Sequence, residues 1–138
     1  MSKADGFETS LLQLLFTATT IAGVASGIAG AYYLSLHFAD PGEAGNQASS
    51  ETNYGGYARQ SVQRTTAGFT ITGSSVALTA SVTFPQSTNT ASTITHFGLG
   101  TVSQGSTTLF YSGTVTPNVT INTNVTPALT TGTNITED

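Results

Sequence analysis

The strongest pattern in the chain is an alternation of apolar and polar residues that begins at Ala31. Tyr32, Leu34, Leu36 and Phe38 alternate with Tyr33, Ser35, His37 and Ala39. A period of two is that of a half-buried strand, with His37 on its polar phase. The strand is predicted to stop at Asp40-Pro41-Gly42-Glu43, where Pro and Gly stand as a type II turn requires. Residues 42–56 are polar and Gly-rich and read as a long surface loop. Further strands are predicted over 57–62, 68–72, 75–78, 81–84, 93–99, 108–115, 119–121 and 133–136, with Pro85 and Pro117 as stops. Short strands separated by turn residues predict a mainly β fold, an antiparallel β-sandwich of jelly-roll-like type.

Before Ala31 the pattern differs. Leu11, Leu14, Leu15 and Ala18 recur at helical spacing. A short N-terminal helix over about residues 5–18 follows, with Thr9 or Ser10 as its cap. Residues 19–30 are small and Gly-spaced and read as a linker or arm. This divides the chain into a helix and arm, 1–30, and a β-sandwich domain, 31–138. Leu11, Leu12, Leu14, Leu15 and Phe16 are the candidate interface of the arm with another subunit. Deleting residues 1–30 is then expected to leave a folded β-domain that no longer attaches.

The stretch 11–36 carries no charge and is long enough for a membrane span. Gly23 and Gly27 have the spacing that lets membrane helices approach. Against a span stand the small residues of 17–31, an acidic flank at Asp40 and Glu43, and Lys3 as the sole nearby cation. Asp5 and Glu8 likewise argue against a signal peptide.

Composition narrows the function. Only 7% of the 138 residues are charged, against about 25% in an average domain. Lys3, Arg59 and Arg64 form no basic stripe, so nucleic acid is not an expected partner. A surface this poor in charge suits a protein packed against copies of itself or another subunit. With no cysteine, disulfides and thiolate metal sites are excluded.

Chemistry-bearing constellations are scarce. His37 and His96 are the only side chains suited to general base work near neutral pH. Neither has a convergent partner in sequence, and no nucleophile elbow or phosphate-binding glycine loop occurs. We therefore expect no enzyme, no catalytic residues, no cofactor and no metal. Asp40, Glu43, Asn46 and Glu51 offer oxygen ligands but lack the spacing of a calcium loop. They read as solvated turn residues. Arg59 either forms a bidentate ion pair with Asp40, Glu43 or Glu51 or stands exposed at a sheet edge in a loose one. Asn-x-Thr at Asn118, Asn124 and Asn134 is a chance product of a chain rich in Asn and Thr.

Five segments occur in a fixed order: YLSLHFADPGEAG (33–45), GYARQSV (56–62), VTFPQST (82–88), TITHFGLGT (93–101) and LFYSGTV (109–115). Together they resemble a widespread family of small phage virion proteins, often labelled tail-fibre-like. The match is close over about 31–115 and looser after Val119, and residues 17–31 are longer than the family pattern. The resemblance implies a structural protein of a phage particle, assembled in the host cytoplasm, and brings no catalytic residues. The expected role is a capsid decoration protein that clamps the major capsid protein or another virion protein, as a homo-oligomer with a trimer favoured. A tail or fibre component contacting the host is the alternative, and a membrane-anchored phage protein the third reading.

Overall fold

The computed structural model describes residues 4–21, 27 and 30–136. It is mainly β, with one short helix and several antiparallel sheets, consistent with a β-sandwich-like fold. The elements run α1 (Asp5–Thr17), β1 (Ala31–His37), β2 (Gln60–Gln63), β3 (Phe69–Thr72), β4 (Ser75–Leu78), β5 (Val82–Thr83), β6 (Ile94–Gly100), β7 (Tyr111–Val119), β8 (Ala128–Leu129) and β9 (Asn134–Thr136). They divide into two compact units, interleaved along the chain.

One unit gathers residues 1–31, 62–81 and 130–138. Its sheet has the order β3-β4-β9. β3 and β4 form a hairpin across Gly73-Ser74, with Thr72 opposite Ser75. Helix α1 packs against β3 and β4. Leu12 and Phe16, four residues apart and so on one helical face, are fully buried. The Phe16 ring meets Phe69 edge-on at 5.0 Å. Arg64 ties the helix end down: its Nε donates to the Leu15 carbonyl at 2.6 Å and its Nη2 to that of Leu14 at 2.8 Å. These carbonyls stand in the last turn of the helix, the negative end of its dipole, where a cation is favourable.

This corrects the expected helix in three ways. Its N-cap is Ala4, without a side-chain cap. Thr9 Oγ1 instead donates to the Gly73 carbonyl, and Ser10 Oγ to that of Gly6. The buried face centres on Leu12 and Phe16, while Leu11, Leu14, Leu15 and Ala18 are half-buried beside it. Leu12 and Phe16 therefore belong to a core within the chain and are not open to another subunit. The division at residue 30 gives way for the same reason: the apolar face of α1 needs cover, and the β3–β4 hairpin supplies it. Most of the expected arm (22–26, 28 and 29, including Gly23) lies outside the described residues, as does Lys3. Among the described residues no helix is long and apolar enough to cross a membrane.

The second unit gathers residues 32–61 and 82–129. Most of the sheet β2-β1-β6-β7 lies here, with the two-stranded ribbon β5-β8. β1 and β6 are antiparallel, with Leu34 opposite Leu99 and His37 opposite His96. Leu34, Leu36, Tyr54, Phe84, Ile94, Phe97, Leu99 and Ile121 are buried core of this unit. Residues 34–37 are buried without alternation. The end of β1 is thus covered on both faces, which removes His37 from the solvent side where its phase had placed it.

Other differences have local causes. The strand expected from Tyr57 starts only at Gln60, because Tyr57 and Arg59 are engaged in side-chain bonding. β7 runs through Pro117. That is tolerated because β7 is the sheet's edge and Pro need not donate outward. Ile121 is buried beyond the end of β7, and β8 was not anticipated.

Candidate functional site

The polar groups of the second unit converge on Arg59. Its Nε and Nη2 donate to Glu51 Oε1 and Oε2, both at 2.7 Å, a bidentate pair. Nη1 reaches Gln47 Oε1 at 3.2 Å and the Val102 carbonyl at 3.1 Å. Nη2 also reaches the carbonyls of Gly105 at 2.8 Å and Gln47 at 3.3 Å. All five N–H groups of the guanidinium are thereby engaged. The Arg59 side chain is 3% exposed and that of Glu51 15%. The hydrogen bonding to Glu51 raises the Arg59 pKa, outweighing burial, which lowers it, and so holds the guanidinium charged.

A second layer fixes the carboxylate. The Tyr57 hydroxyl donates to Glu51 Oε1 at 2.8 Å and accepts from the Leu36 N–H at 3.1 Å. Its ring stacks on Phe84 at 6.2 Å and meets Tyr54 edge-on at 5.3 Å. Burial pushes the Tyr57 pKa strongly upward and that of Tyr54 to about 12, so both stay neutral donors. The Tyr54 hydroxyl donates to the Pro85 carbonyl at 2.8 Å.

Gln47 is fully buried. Its Nε2 donates to the Tyr33 carbonyl at 2.6 Å and its Oε1 accepts from Arg59 and from Thr107 Oγ1. The amide lies against Gly100: a Cβ there would stand 2.1 Å from Gln47 Oε1. Glycine at 100 is thus needed for the close approach of the loop to β6.

His37 completes the network. Its Nδ1 lies 2.8 Å from the Ser49 carbonyl and its Nε2 2.9 Å from Ser35 Oγ. A carbonyl only accepts, so Nδ1 carries the proton, and neutral Nε2 accepts from Ser35. Ser35 and His37 are both fully buried, which leaves this hydroxyl–imidazole pair without access to a substrate. Burial lowers the His37 pKa below 6.5, ahead of the opposing influences of the Ser49 bond and Glu51. His96 is half-buried, with Nδ1 2.9 Å from Thr95 Oγ1.

A pH dependence follows. The unfolded chain protonates His37 below about pH 6.5, whereas the folded chain resists until a lower pH. Its contribution is complete above pH 6.5 and is lost as pH falls through that value towards the folded pKa. Folding stability measured by urea titration is expected to drop between pH 7 and pH 5, with a His37 share of at most about 1.4 kcal/mol per pH unit. His37→Gln should remove that share. An equal slope in the variant would assign the effect to other groups.

Of the residues singled out in the sequence, the structure brings Arg59 together with Glu51. Asp40 and Glu43 do not join them. Both acids line a separate cleft of about 470 Å³ with residues 109–112. Asp40 Oδ1 accepts from the Gly42 N–H at 2.9 Å, and Asn46 Oδ1 from the Ala48 N–H at 2.9 Å. Among the described residues no three His, Cys, Asp or Glu side chains gather as a metal site would need. Gln47 and Tyr57 were not recognised as network members. The signal for Tyr57 was its place two residues before the buried Arg59, while Gln47 looks like any polar loop residue.

The arrangement is a clamp. One guanidinium gathers the loop 46–52, the loop 102–105 and the segment before β2. The outer surface of the sheet is of opposite character. β7 exposes Ser112, Thr114, Thr116 and Asn118, and Phe110 just before it is 44% exposed.

The model of the family described as Gp80, podophage GP4 fiber I protein gp80, matches residues 3–136. The chain belongs to that family, one of phage virion proteins of the fibre type. No curated protein matches the chain.

Proposed function

We propose that this chain is a fibre subunit of a podophage particle, acting as a structural homo-oligomer. The observation that carries the reading is the family match over nearly the whole length, 3–136. The geometry supports it. Arg59 spends all its donors on holding loops to the sheet, the task of a scaffold. The long outer strand presents hydroxyls and amides in place of charge, a surface suited to neighbouring subunits.

A head-decoration role would place the same fold elsewhere, against the major capsid protein and in hundreds of copies. The two separate on intact particles. Gold-labelled antibody against this chain is expected at the tail or at fibres projecting from it. Label spread evenly over the shell would overturn the fibre reading in favour of decoration.

A further inference from the structure

We infer that the cleft beside the Arg59–Glu51 pair binds a neutral sugar, with Glu51 accepting from one sugar hydroxyl and Asn53 and Gln104 bonding to others. The inference goes beyond the fibre reading: it names a ligand, and the lining of the cleft carries it.

The cleft has a volume of about 360 Å³, towards the small end of ligand pockets, which run from about 300 to 1,000 Å³. Its lining comes from two stretches, 51–59 and 103–105. Arg59 ties these stretches together. Its Nε and Nη2 hold Glu51, while Nη1 and Nη2 hold the carbonyls of Val102 and Gly105. The walls are therefore set before a ligand arrives, and little side-chain freedom is lost on binding.

Charge decides the class of ligand. Glu51 and Arg59 are the only charged residues in the lining, and they neutralise each other at 2.7 Å. Arg59 has no N–H left for a phosphate or carboxylate. An ammonium would meet a carboxylate whose charge Arg59 already answers. A neutral ligand suits the cleft best.

What stays open is hydrogen-bonding capacity. Glu51 Oε2 accepts one bond, from Arg59 Nη2, and a carboxylate oxygen has room for a second. Asn53, Ser103 and Gln104 are exposed, and their side chains bond to no other group among the described residues. Each of the three can both donate and accept, as sugar hydroxyls do. A purely apolar ligand would take water from these groups and return no partner. The Tyr57 hydroxyl is already engaged with Glu51 and the Leu36 N–H, so Tyr57 presents its ring to the cleft. That ring is an apolar surface for the C–H face of a sugar. One ligand with hydroxyls at its rim and C–H groups on its face matches both halves of the lining.

The test is saturation-transfer NMR on the full chain with the methyl glycosides of glucose, galactose, mannose, rhamnose and N-acetylglucosamine. At least one is expected to receive saturation and to bind in the millimolar range. Asn53→Ala with Gln104→Ala should weaken that sugar about tenfold, the worth of one or two net hydrogen bonds. Both side chains are exposed and hold nothing in the fold, so the urea midpoint of this variant should stay in place. Glu43→Gln, in the separate acidic cleft, should leave binding unchanged. The uronate and the amino-sugar counterparts of the bound sugar should bind no more tightly than the neutral form. Saturation of none of the panel, binding indifferent to the Asn53 and Gln104 changes, loss of binding in Glu43→Gln, or tighter binding of either charged counterpart would overturn the inference. Antibody label on the head would overturn the fibre reading and leave this result standing.

Discussion

Arg59→Ala is expected to cost about 3–5 kcal/mol of folding stability, the loss typical when one partner of a buried ion pair is removed. The cause is less the lost attraction than what remains. The Glu51 carboxyl is left, among the described residues, with the Tyr57 hydroxyl as its side-chain donor, and the carbonyls of Val102 and Gly105 lose the Arg59 donor. Gln47, fully buried, loses the donor to its Oε1 and keeps only the longer bond from Thr107 at 3.3 Å. A urea titration at pH 7 reads the loss as a lowered midpoint. Arg59→Lys should recover little, because an ammonium cannot span both carboxylate oxygens and reach two loops. Arg59→Met combined with Glu51→Leu should recover more than Arg59→Ala, since no charge is left stranded. If Arg59→Ala shifts the midpoint by less than about 1 kcal/mol, the value of an exposed pair, the clamp has no structural role.

Phe16→Ala is expected to cost a comparable amount, about 3–5 kcal/mol, the range for removing a large buried aromatic. Phe16 is fully buried and touches Phe69 edge-on. Truncation opens a cavity between α1 and the β3–β4 hairpin. Phe7→Ala, on the same helix and 44% exposed, should change stability by less than about 0.5 kcal/mol. The pair of variants separates two roles of the N-terminal segment. If the helix served only to attach the subunit, Phe16→Ala would leave the unfolding midpoint in place. For the same reason, deletion of residues 1–30 should not leave the remaining fold intact, because Phe69, Val76 and Leu78 would lose the helix that covers them.

The β-strand pattern was legible because alternation is a property of neighbouring residues. Tyr32, Leu34 and Leu36 are buried, as their phase requires. Helix α1 was legible in extent but not in facing. Leu11, Leu12, Leu14, Leu15 and Phe16 are compatible with more than one apolar face, and only the hairpin against which the helix lies selects Leu12 and Phe16. His37 shows the same limit. Its polar phase is clear in sequence, yet the loop carrying Ser49 and Glu51 folds over that face and buries it.

Sequence by itself determined the class of the molecule: a charge-poor, cysteine-free β-protein with a short leading helix. These follow from local periodicity and from counts, which are independent of how distant segments meet. Tertiary structure alone decided that Glu51 answers Arg59 while Asp40 and Glu43 lie in another cleft. It also turned Gln47 inward and interleaved the two units, laying the helix against the β3–β4 hairpin from the middle of the chain. Those choices depend on which loops cover which faces, and a buried polar group is stable only where partners from several segments arrive together.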